Sequence, residues 1–427
     1  MRVLLVGGGG REHALAWKIA QSPRVERLVA APGNPGIARH ATCTGIGVDD
    51  HDGLLRLAES ERVDLVVVGP EVPLVAGLAD RLVDKGLTVF GPSARAARIE
   101  GSKVFAKELM ARYGIPTARF ATFDDPAEAR AHCRELGPPL VVKSDGLTAG
   151  KGVIVCRTRA EADAALARCM EQREFGASGG RVVIEELLVG EEYSFFALSN
   201  GADAVPLAGA QDHKSVFDAD VGPNTGGMGA FSPVASVDAA TDARIMREIV
   251  EPTLAALASD GAPYRGVLYA GLMLTRGGPK VIEFNCRFGD PECQVILPRL
   301  DGDLVPALMA AARGETLPRL AAASSRAAVC VAIASPGYPG AYPTGAVISG
   351  VEAAEAIEGV HVFHAGTALR DGRLVTSGGR VLGVTAVAPD VERAIGAAYE
   401  AVDKIRFEGM HYRRDIGKRR ERQETAP

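Results

Sequence analysis

Residues 281–292 carry an acid, an amide and an arginine at alternate positions, 283, 285 and 287; they read Val-Ile-Glu-Phe-Asn-Cys-Arg-Phe-Gly-Asp-Pro-Glu. Because side chains at i and i+2 share a face of a strand, Glu283 and Asn285 should point together, with Phe284 facing a core. A carboxylate and an amide oxygen are hard ligands that suit Mg²⁺, which completes its sphere with phosphate and water. Arg287 follows at the next position on that face, where a planar cation suits a phosphate or carboxylate in transfer.

A Glu-x-Asn pattern by itself is more often the polar face of an edge strand than a metal site, because short motifs also match by chance. Residues 289–292 turn the chain and add two more acids, Asp290 and Glu292. The metal interpretation therefore depends on whether the rest of the chain builds a phosphate-binding fold around this strand.

Length and composition restrict the class of protein. A chain of 427 residues predicts at least two domains, and 47% hydrophobic with 24% charged residues is typical of a globular protein. A net charge of −5 argues against nucleic acid as the main partner. We expect no secretion signal and no membrane-spanning segment. Seven cysteines without a C-x-x-C pair indicate free thiols and a cytoplasmic protein.

The N-terminal segment predicts a phosphate-binding start of a doubly wound sheet. An apolar strand at residues 3–6 is followed by four glycines, 7–10, and by a helix from Arg11 to about Gln21. Backbone N–H groups at such a turn favour an anion. The dinucleotide pattern fails because its third glycine position holds Glu12 or His13. A phosphate or ribose phosphate at Gly8, Gly9 and Gly10 is therefore preferred to NAD, and a tight turn without a ligand is the alternative.

Further apolar strands of this first domain end in candidate cleft residues. The strand at 28–30 leads to Asn34, and the strand at 65–68 leads to Gly-Pro-Glu ending at Glu71. Another strand at 87–90 ends in Gly-Pro-Ser. Since ligands in parallel sheets lie beyond the carboxyl ends of strands, we expect these residues to line one cleft.

A second α/β unit follows a helix that Ser102 should cap. Lys143 ends a strand at 140–143, and residues 144–152 read Ser-Asp-Gly-Leu-Thr-Ala-Gly-Lys-Gly before a second strand at 153–156. The spacing fails the P-loop pattern, since three residues separate Gly146 from Gly150 and Gly152 stands in the Ser/Thr position. A glycine-rich hairpin can still fold over phosphates.

Two later segments are rich in polar groups. A buried strand at 182–184 leads to Glu185, and residues 184–188 could present main-chain groups to an adenine, although such a strand ending in acids is often only structural. Residues 211–214 and 222–229 bracket a polar, glycine-rich loop of the kind that carries function. His213 is more plausible as a hydrogen-bonded loop histidine than as a metal ligand, because no second His or Cys follows at ligand spacing in the sequence.

The remaining elements complete an α/β chain. We predict helices at 242–259, 303–312 and 391–405, a hairpin of strands 267–274 and 280–285, and further strands at 329–333, 362–365 and 381–387. The predicted domains are 1–100, Rossmann-like; 101–325, with 120–190 as a flap subdomain; 326–420, α+β; and a solvated tail at 421–427.

Together these pieces resemble the ATP-grasp enzymes, and within them the phosphoribosylamine–glycine ligase family. Asn-Thr-Gly-Gly-Met-Gly at 224–229 and Glu-Phe-Asn-x-Arg-Phe-Gly-Asp-Pro-Glu at 283–292 are the most specific motifs, and the resemblance covers nearly the whole chain. It implies an ATP-grasp fold with an N-terminal doubly wound domain, a small ATP-flap subdomain and a C-terminal α+β domain. The family joins glycine to 5-phosphoribosylamine with ATP in purine biosynthesis.

The resemblance also implies roles for individual residues. Lys103 and Lys143 would contact ATP phosphates, and Glu283 with Asn285 would bind Mg²⁺ or Mn²⁺. The other implied nucleotide contacts are Ser144, Gly146, Gly150, Lys151, Gly152, Glu185, Glu186, Leu188, Glu191 and Glu192. The implied catalytic residues are Arg287, Lys214, Asp212 and Asp290, and the implied substrate-binding residues are Gly8, Gly9, Gly10, Asn34, Glu71, Asn224, Thr225 and Gly226.

Two positions depart from the family pattern. Many ATP-grasp enzymes carry an acid on the strand before the metal strand, where this chain has Gly271-Leu272-Met273, so the number of metal ions stays open. Ser215 stands where the family usually has arginine after residues 212–214, which leaves Lys214 as the nearby cation.

Three functions remain to be distinguished. The first is the ligase, acting as a monomer through glycyl phosphate. The second is another ATP-grasp purine enzyme, either a formate-dependent transformylase or a carboxylating synthetase. The third is a nucleotide-binding sensor without turnover, which the set of lysines, acids and Arg287 disfavours.

Overall fold

The N-terminal unit is a five-stranded parallel sheet with strand order β3-β2-β1-β4-β5. The structure is a computed structural model that describes residues 1–148, 151–318 and 325–418. The strands of this sheet are β1 (Arg2–Gly7), β2 (Arg27–Pro32), β3 (Thr42–Cys43), β4 (Leu65–Val68) and β5 (Val89–Phe90). Its helices are α1 (Gly10–Ile19), α2 (His51–Ser60), α3 (Glu71–Val75), α4 (Leu78–Val83) and α5 (Ala94–Gly101).

Helices cover both faces of this sheet, as the doubly wound prediction requires. Leu4 and Val6 of β1 lie in one hydrophobic core, while Val3 and Leu5 lie in another with residues of α1. The continuous apolar sequence of these strands follows from burial on both faces. The predicted strand, glycine turn and helix at the N-terminus are confirmed, since β1 ends at Gly7 and α1 begins at Gly10.

The middle of the chain forms two antiparallel sheets. The first has the order β6-β9-β7-β8, with β6 (Phe120–Phe123), β7 (Leu140–Ser144), β8 (Val153–Cys156) and β9 (Val182–Glu186). Its helices are α6 (Lys103–Tyr113), α7 (Pro126–Leu136) and α8 (Arg159–Leu166), which continues as a π-helical turn over Ala167–Glu171. Ser102 caps α6 as predicted, because its hydroxyl accepts a hydrogen bond from Phe105 N–H.

The second sheet has the order β11-β10-β16-β17 and presents the strand of Glu283 at its edge. Its strands are β10 (Glu191–Asn200), β11 (Ala204–Pro206), β16 (Arg265–Thr275) and β17 (Gly278–Asn285). The predicted hairpin of β16 and β17 is confirmed. The predicted helix at 242–259 is confirmed as a continuous helical run, made of α9 (Ala239–Ile245), a π-helical turn over Met246–Val250 and α10 (Glu251–Ser259).

The C-terminal sheet recruits strands from the polar loop of the middle segment. Its order is β12-β15-β18-β22-β19, in which β12 (Gln211–Asp212) and β15 (Gly229–Ser232) precede β18 (Ala327–Ala334), β19 (Val360–His364) and β22 (Arg380–Ala388). Neighbouring strands are antiparallel. The loop at 211–232 is therefore built into the C-terminal sheet at its edge.

Short elements complete the described chain. They are β13 (Ser215–Phe217), β14 (Val221–Asn224), α11 (Cys293–Ile296), α12 (Val305–Arg313), α13 (Val351–Glu355), β20 (Thr367–Arg370), β21 (Arg373–Thr376) and α14 (Val391–Val402). All seven cysteines are free thiols, as the sequence indicated. None of the helices in the described ranges is long and apolar enough to span a membrane.

Candidate active site

Glu283 and Asn285 share one face of β17. Their partners on β16 are Gly271 and Tyr269 in regular antiparallel register, with Phe284 opposite Ala270 between them. Phe284 is 3% exposed and lies in the hydrophobic core, as the alternation predicted. Gly271 leaves space opposite Glu283, since a Cβ there would lie 3.3 Å from the Glu283 side chain.

The donor set on this face fits a hard cation. Asn285 is buried, and its Nδ2 has no hydrogen-bond partner among the described residues. The Asn285 amide is therefore not fully engaged by the described residues, and a half-turn of the amide presents its oxygen to a cation. The described part of the chain contains no cluster of three or more His, Cys, Asp or Glu suited to a metal. A cation bound by Glu283 and Asn285 would therefore draw its other ligands from substrate and water.

Cations surround Glu283. Burial opposes its ionisation, but Lys214, Lys143, Lys103 and Arg287 outweigh burial and lower the pKa of the Glu283 carboxyl. The carboxylate is therefore kept charged in a field of positive side chains. Such a field also stabilises a polyphosphate.

Lys214 lies within an acidic pocket of its own. Its Nζ is 3.5 Å from Glu192 and 3.9 Å from Glu283. Burial lowers the pKa of Lys214, but Asp212, Glu192, Glu283 and Glu292 outweigh it and raise the pKa well above the usual value. Burial raises the pKa of Asp212 to about 7; Lys214 opposes this shift, and the neighbouring acids reinforce it. The loop thus presents a lysine that stays charged beside an acid that titrates near neutrality.

The two predicted ATP lysines approach β17 from different elements: Lys143 lies on β7 of the neighbouring sheet, and Lys103 opens helix α6. Lys143 Nζ donates to the carbonyl of Ile282 at 2.9 Å and forms an ion pair with Glu185. Lys103 Nζ donates to the carbonyl of Gly146 at 2.8 Å. The structure thus brings Lys103 and Lys143 to the strand of Glu283, where the sequence expected them to meet one nucleotide.

The glycine-rich hairpin joins β7 to β8. Ser144 is fully buried, and its Oγ lacks a hydrogen-bond partner within the described ranges. A Cβ on Gly152 would lie 2.5 Å from Ser144 Oγ, so a glycine is needed for this close approach. Lys151 is exposed. Gly150 lies outside the described residues.

The side chains of the expected adenine segment are used in ion pairs. Glu185 is buried between Lys107 and Lys143, and Glu186 pairs with Arg119 at 2.8 Å and Lys280 at 3.4 Å. These ion pairs engage the side chains of Glu185 and Glu186, so the adenine contact predicted from the sequence would have to come from the main chain of the segment. Leu188 is half-buried there, and Glu191 and Glu192 open β10 beside it.

The N-terminal glycine turn is closely packed. A Cβ on Gly8 would lie 2.6 Å from the carbonyl oxygen of Gly33, and one on Gly10 would lie 2.7 Å from Gln294 Nε2. Gly9 N–H donates to Glu12 at 2.7 Å. The Asn34 amide donates to the carbonyls of Gly8 and His364 and accepts from two backbone N–H groups. Asn34 therefore holds this turn against the C-terminal sheet.

Arg287 lies beyond the end of β17, so the alternation that placed it beside Asn285 does not extend to it. Its guanidinium pairs with Glu71 at 3.1 Å and with Glu100 at 2.8 Å. Glu100 also accepts from Cys286 N–H at 2.7 Å. Arg287 and Glu71, two of the predicted site residues, are thus in contact, and Glu100 fixes the bend that carries Arg287.

Asp290 connects the glycine turn to the loop at 224–229. Its carboxylate pairs with Arg380 at 3.0 Å and accepts from Gln294 at 2.7 Å. Arg380 donates to the carbonyls of Gly226 and Gly227. Thr225 holds the start of this loop, since its backbone N–H and hydroxyl both donate to the carbonyl of Lys214 at 2.8 Å. Asn224 ends β14, opposite Ser215 of β13.

Family comparisons agree along the chain. The N domain of phosphoribosylglycinamide synthetase matches residues 1–100, its ATP-grasp (A) domain matches residues 101–293, and its C domain matches residues 328–419. A phosphoribosylamine–glycine ligase of Brucella melitensis is 52% identical over 426 residues, with 100% of both chains covered. One of Agrobacterium fabrum is 54% identical, with 98% of both covered.

The chain belongs to the phosphoribosylglycinamide synthetase family.

Solved structures agree with this membership. The crystal structure of a phosphoribosylamine–glycine ligase from Thermotoga maritima has a TM-score of 0.86 and 37% identity, and the match covers 97% of this chain and 100% of that one. Biotin carboxylase from Campylobacter jejuni has a TM-score of 0.73 at 14% identity, with 96% and 92% covered, and shares the fold alone. The predicted ATP-grasp fold is confirmed.

Sequence reasoning missed several residues that position the candidate site. Each is a charged or polar group whose partner is distant in sequence: Arg11, Glu100, Lys107, Tyr269 and Arg380. A charged residue inside an otherwise apolar helical pattern, such as Lys107 in α6, was the available signal. The partners themselves become visible only in the folded chain.

The pairing of Glu71 predicts acid sensitivity. Burial opposes ionisation of Glu71, but Arg287 and Arg11 outweigh it and lower its pKa to about 2, from 4.5. The stabilisation is present above pH 4.5 and is lost as the pH falls toward 2; it amounts to at most about 3 kcal/mol. Glu71→Gln should lower the thermal midpoint at pH 7, and the difference from wild type should shrink at pH 3. Glu248→Gln, in an exposed ion pair with Arg244, is the control. A difference independent of pH would contradict this electrostatic origin.

Proposed function

We propose that this chain joins glycine to 5-phosphoribosylamine with ATP, giving glycinamide ribonucleotide, ADP and phosphate, the second step of de novo purine biosynthesis. The observation that carries the proposal is the convergence of Lys103, Lys143 and Lys214 on the strand of Glu283 and Asn285. It occurs in a chain that matches its family along nearly its whole length. Cations gathered around one carboxylate suit a triphosphate and its counter-ion.

The reaction divides into two transfers. A carboxylate is a poor acyl donor, so a carboxylate oxygen of glycine first attacks the γ-phosphorus of ATP, and ADP leaves. The amine of phosphoribosylamine then attacks the carbonyl carbon of glycyl phosphate, loses a proton and expels phosphate. Phosphoryl transfer requires positioning and charge neutralisation more than a protein nucleophile. Paired cations fit that requirement.

One set of residues would bind ATP and its metal ion, and a second set would bind the ribosylamine and glycine. Lys103, Lys143 and the hairpin at 144–152 would bind the ATP phosphates, with the main chain of residues 185–188 along the adenine and Glu191 or Glu192 at the ribose. Glu283 and Asn285 would hold Mg²⁺ or Mn²⁺. When bound, the cation neutralises phosphate charge and orients the phosphates. The hairpin would exclude water from the acyl phosphate.

The ribosylamine would lie between the N-terminal sheet and the C-terminal sheet. Gly8, Gly9 and Gly10 form the turn at the start of α1, and Glu71 and Arg287 contact each other beside it. Asp290 pairs with Arg380, which holds the loop of Asn224, Thr225 and Gly226. An amine needs acceptors and a phosphate needs N–H donors, and this region contains both. Lys214 and Asp212 would lie at the junction with the glycine carboxylate.

We further propose that the units at 1–100, 101–325 and 326–420 act together as one cytoplasmic monomer. Contacts between these units support joint action, because Asn34 bonds to His364, Arg287 bonds to Glu71, and Arg380 bonds to Gly226. Each of these contacts joins residues of two predicted units at the site.

A substrate panel tests the function. We expect wild type to release ADP with 5-phosphoribosylamine and glycine, and not when formate or bicarbonate replaces glycine. Lys103→Ala and Lys143→Ala should each raise the KM for ATP at least about tenfold, because a charged hydrogen bond is worth about 1.5–3 kcal/mol. Lys404→Met, on the exposed surface, is the control. Turnover with bicarbonate or formate would identify a different purine enzyme, and ATP binding without turnover would identify a sensor.

Removing the charge of Glu283 tests the metal assignment. Glu283→Gln keeps the shape of the side chain, so the Kd for Mg²⁺ in the presence of ATP should rise at least about tenfold, and turnover should recover partly at high Mg²⁺. Titration calorimetry measures the affinity, with Glu248→Gln as the control. An unchanged Mg²⁺ affinity would place the cation elsewhere.

A further inference from the structure

Lys107 and Lys143 bracket one buried carboxylate. Lys107 lies on α6, Lys143 on β7 and Glu185 on β9, and they are 2%, 2% and 4% exposed. The two carboxylate oxygens of Glu185 are divided between the lysines: Oε1 pairs with Lys143 Nζ and Oε2 with Lys107 Nζ. The array therefore contains two cations and one anion, with a net charge of +1 away from water.

The two ammonium groups differ in their remaining contacts. Lys107 Nζ also donates to Thr117 Oγ1 at 2.7 Å and lies 5.6 Å from the Phe120 ring centroid. Thr117 in turn donates to the carbonyl of Val281 at 2.7 Å. Lys143 Nζ also donates to the carbonyl of Ile282, so its contacts in the described residues use two of its three N–H groups. Each ammonium thus makes two polar contacts among the described residues, and the two lysines differ in where the second contact lies. Lys107 is directed to Thr117 and Phe120 inside the protein, whereas Lys143 lies at the strand of Glu283, where its remaining N–H group can meet a ligand.

We infer that Lys107 is a positioning residue for nucleotide binding: it neutralises Glu185, so that Lys143 keeps its positive charge for the phosphates of ATP. The inference rests on the proposed function for the identity of the nucleotide. Without Lys107, Glu185 and Lys143 would form a neutral buried pair, and the attraction for a polyphosphate would decrease. With Lys107, Glu185 fixes the position of Lys143 without cancelling the charge of the array.

The array has a pH signature. The charged groups facing Lys107 are Glu185 and Glu186 on β9 and Lys143 on β7. Burial lowers the pKa of Lys107 to about 8, and Lys143 adds to this shift while Glu185 and Glu186 oppose it. Below pH 8 the array of Lys107, Lys143 and Glu185 has a net charge of +1. Above pH 8 Lys107 loses its proton, and Lys143 and Glu185 remain as a neutral pair. A group that must be protonated for binding weakens the affinity about tenfold for each pH unit above its pKa.

The test measures MgATP binding to the full chain by titration calorimetry. For wild type, the Kd should rise about tenfold between pH 7 and pH 9. Lys107→Met should raise the Kd at pH 7 about tenfold and remove most of this pH dependence, while the KM for glycine changes less than threefold. Lys107→Arg, which keeps the charge, should bind at pH 7 within about threefold of wild type and lose the dependence up to pH 9. Lys404→Met is the exposed control and should match wild type.

A double variant separates charge from structure. Lys107→Met/Glu185→Gln restores the net charge of +1 on Lys143, so its Kd at pH 7 should return to within about threefold of wild type. If Lys107→Met does not fold, the inference is tested instead by the Kd of the double variant for MgATP and by the pH dependence of the wild-type Kd. The inference is overturned if Lys107→Met binds MgATP as wild type does, or if the double variant binds no better than Lys107→Met. It is also overturned if affinity in wild type is constant from pH 7 to pH 9. Loss of glycine-dependent ADP release by wild type would instead refute the proposed function, because binding is measured without glycine.

Discussion

The hydrogen bond from Lys143 to the Ile282 carbonyl joins the two sheets between which the candidate site is formed. Lys143 is the next-to-last residue of β7 in one sheet, and Ile282 precedes Glu283 on the edge strand β17 of the other. An edge strand has free carbonyl groups, and a buried ammonium needs acceptors. The contact satisfies both requirements and places a lysine beside the proposed metal ligands. Its partner Glu185 is in turn balanced by Lys107.

The strand of Glu283 could be read from the sequence because its pattern is local. Alternation of Glu283 and Asn285 with Phe284 places Phe284 in the core and the two polar side chains on the other face, and the structure has this arrangement. The alternation does not extend back to Val281, because a register shift between Gly271 and Leu272 places Val281 in the core with Phe284. Arg287 could not be placed in the same way, because the strand ends at Asn285 and a bend follows. Its direction is determined by Glu71 and Glu100, which lie about two hundred residues earlier. Local periodicity carries no information about such partners.

Strands β10, β12 and β15 were not predicted from the sequence, because they also depend on partners that are distant in the chain. β10 begins with two acids and carries serines among its apolar residues, so its sequence lacks a clear period. Its ten residues pair with β16 along their whole length, and this long-range pairing makes it a strand. The polar loop at 211–232 is similar: its short strands β12 and β15 are fixed by pairing with each other and with β18. The glycines of this loop indicated a functional segment, but they did not predict that it would form strands of a sheet.

Transfer of oxygen from glycine to phosphate tests the central claim most directly, that these residues activate the carboxylate of glycine. With glycine labelled by ¹⁸O in both carboxylate oxygens, each turnover should place one labelled oxygen in the released phosphate and leave one in the amide product. Mass spectrometry of the phosphate measures this transfer, and Lys143→Ala should slow ADP release and label transfer equally. Release of unlabelled phosphate while the amide product accumulates would show that glycine is not phosphorylated, and would contradict the account.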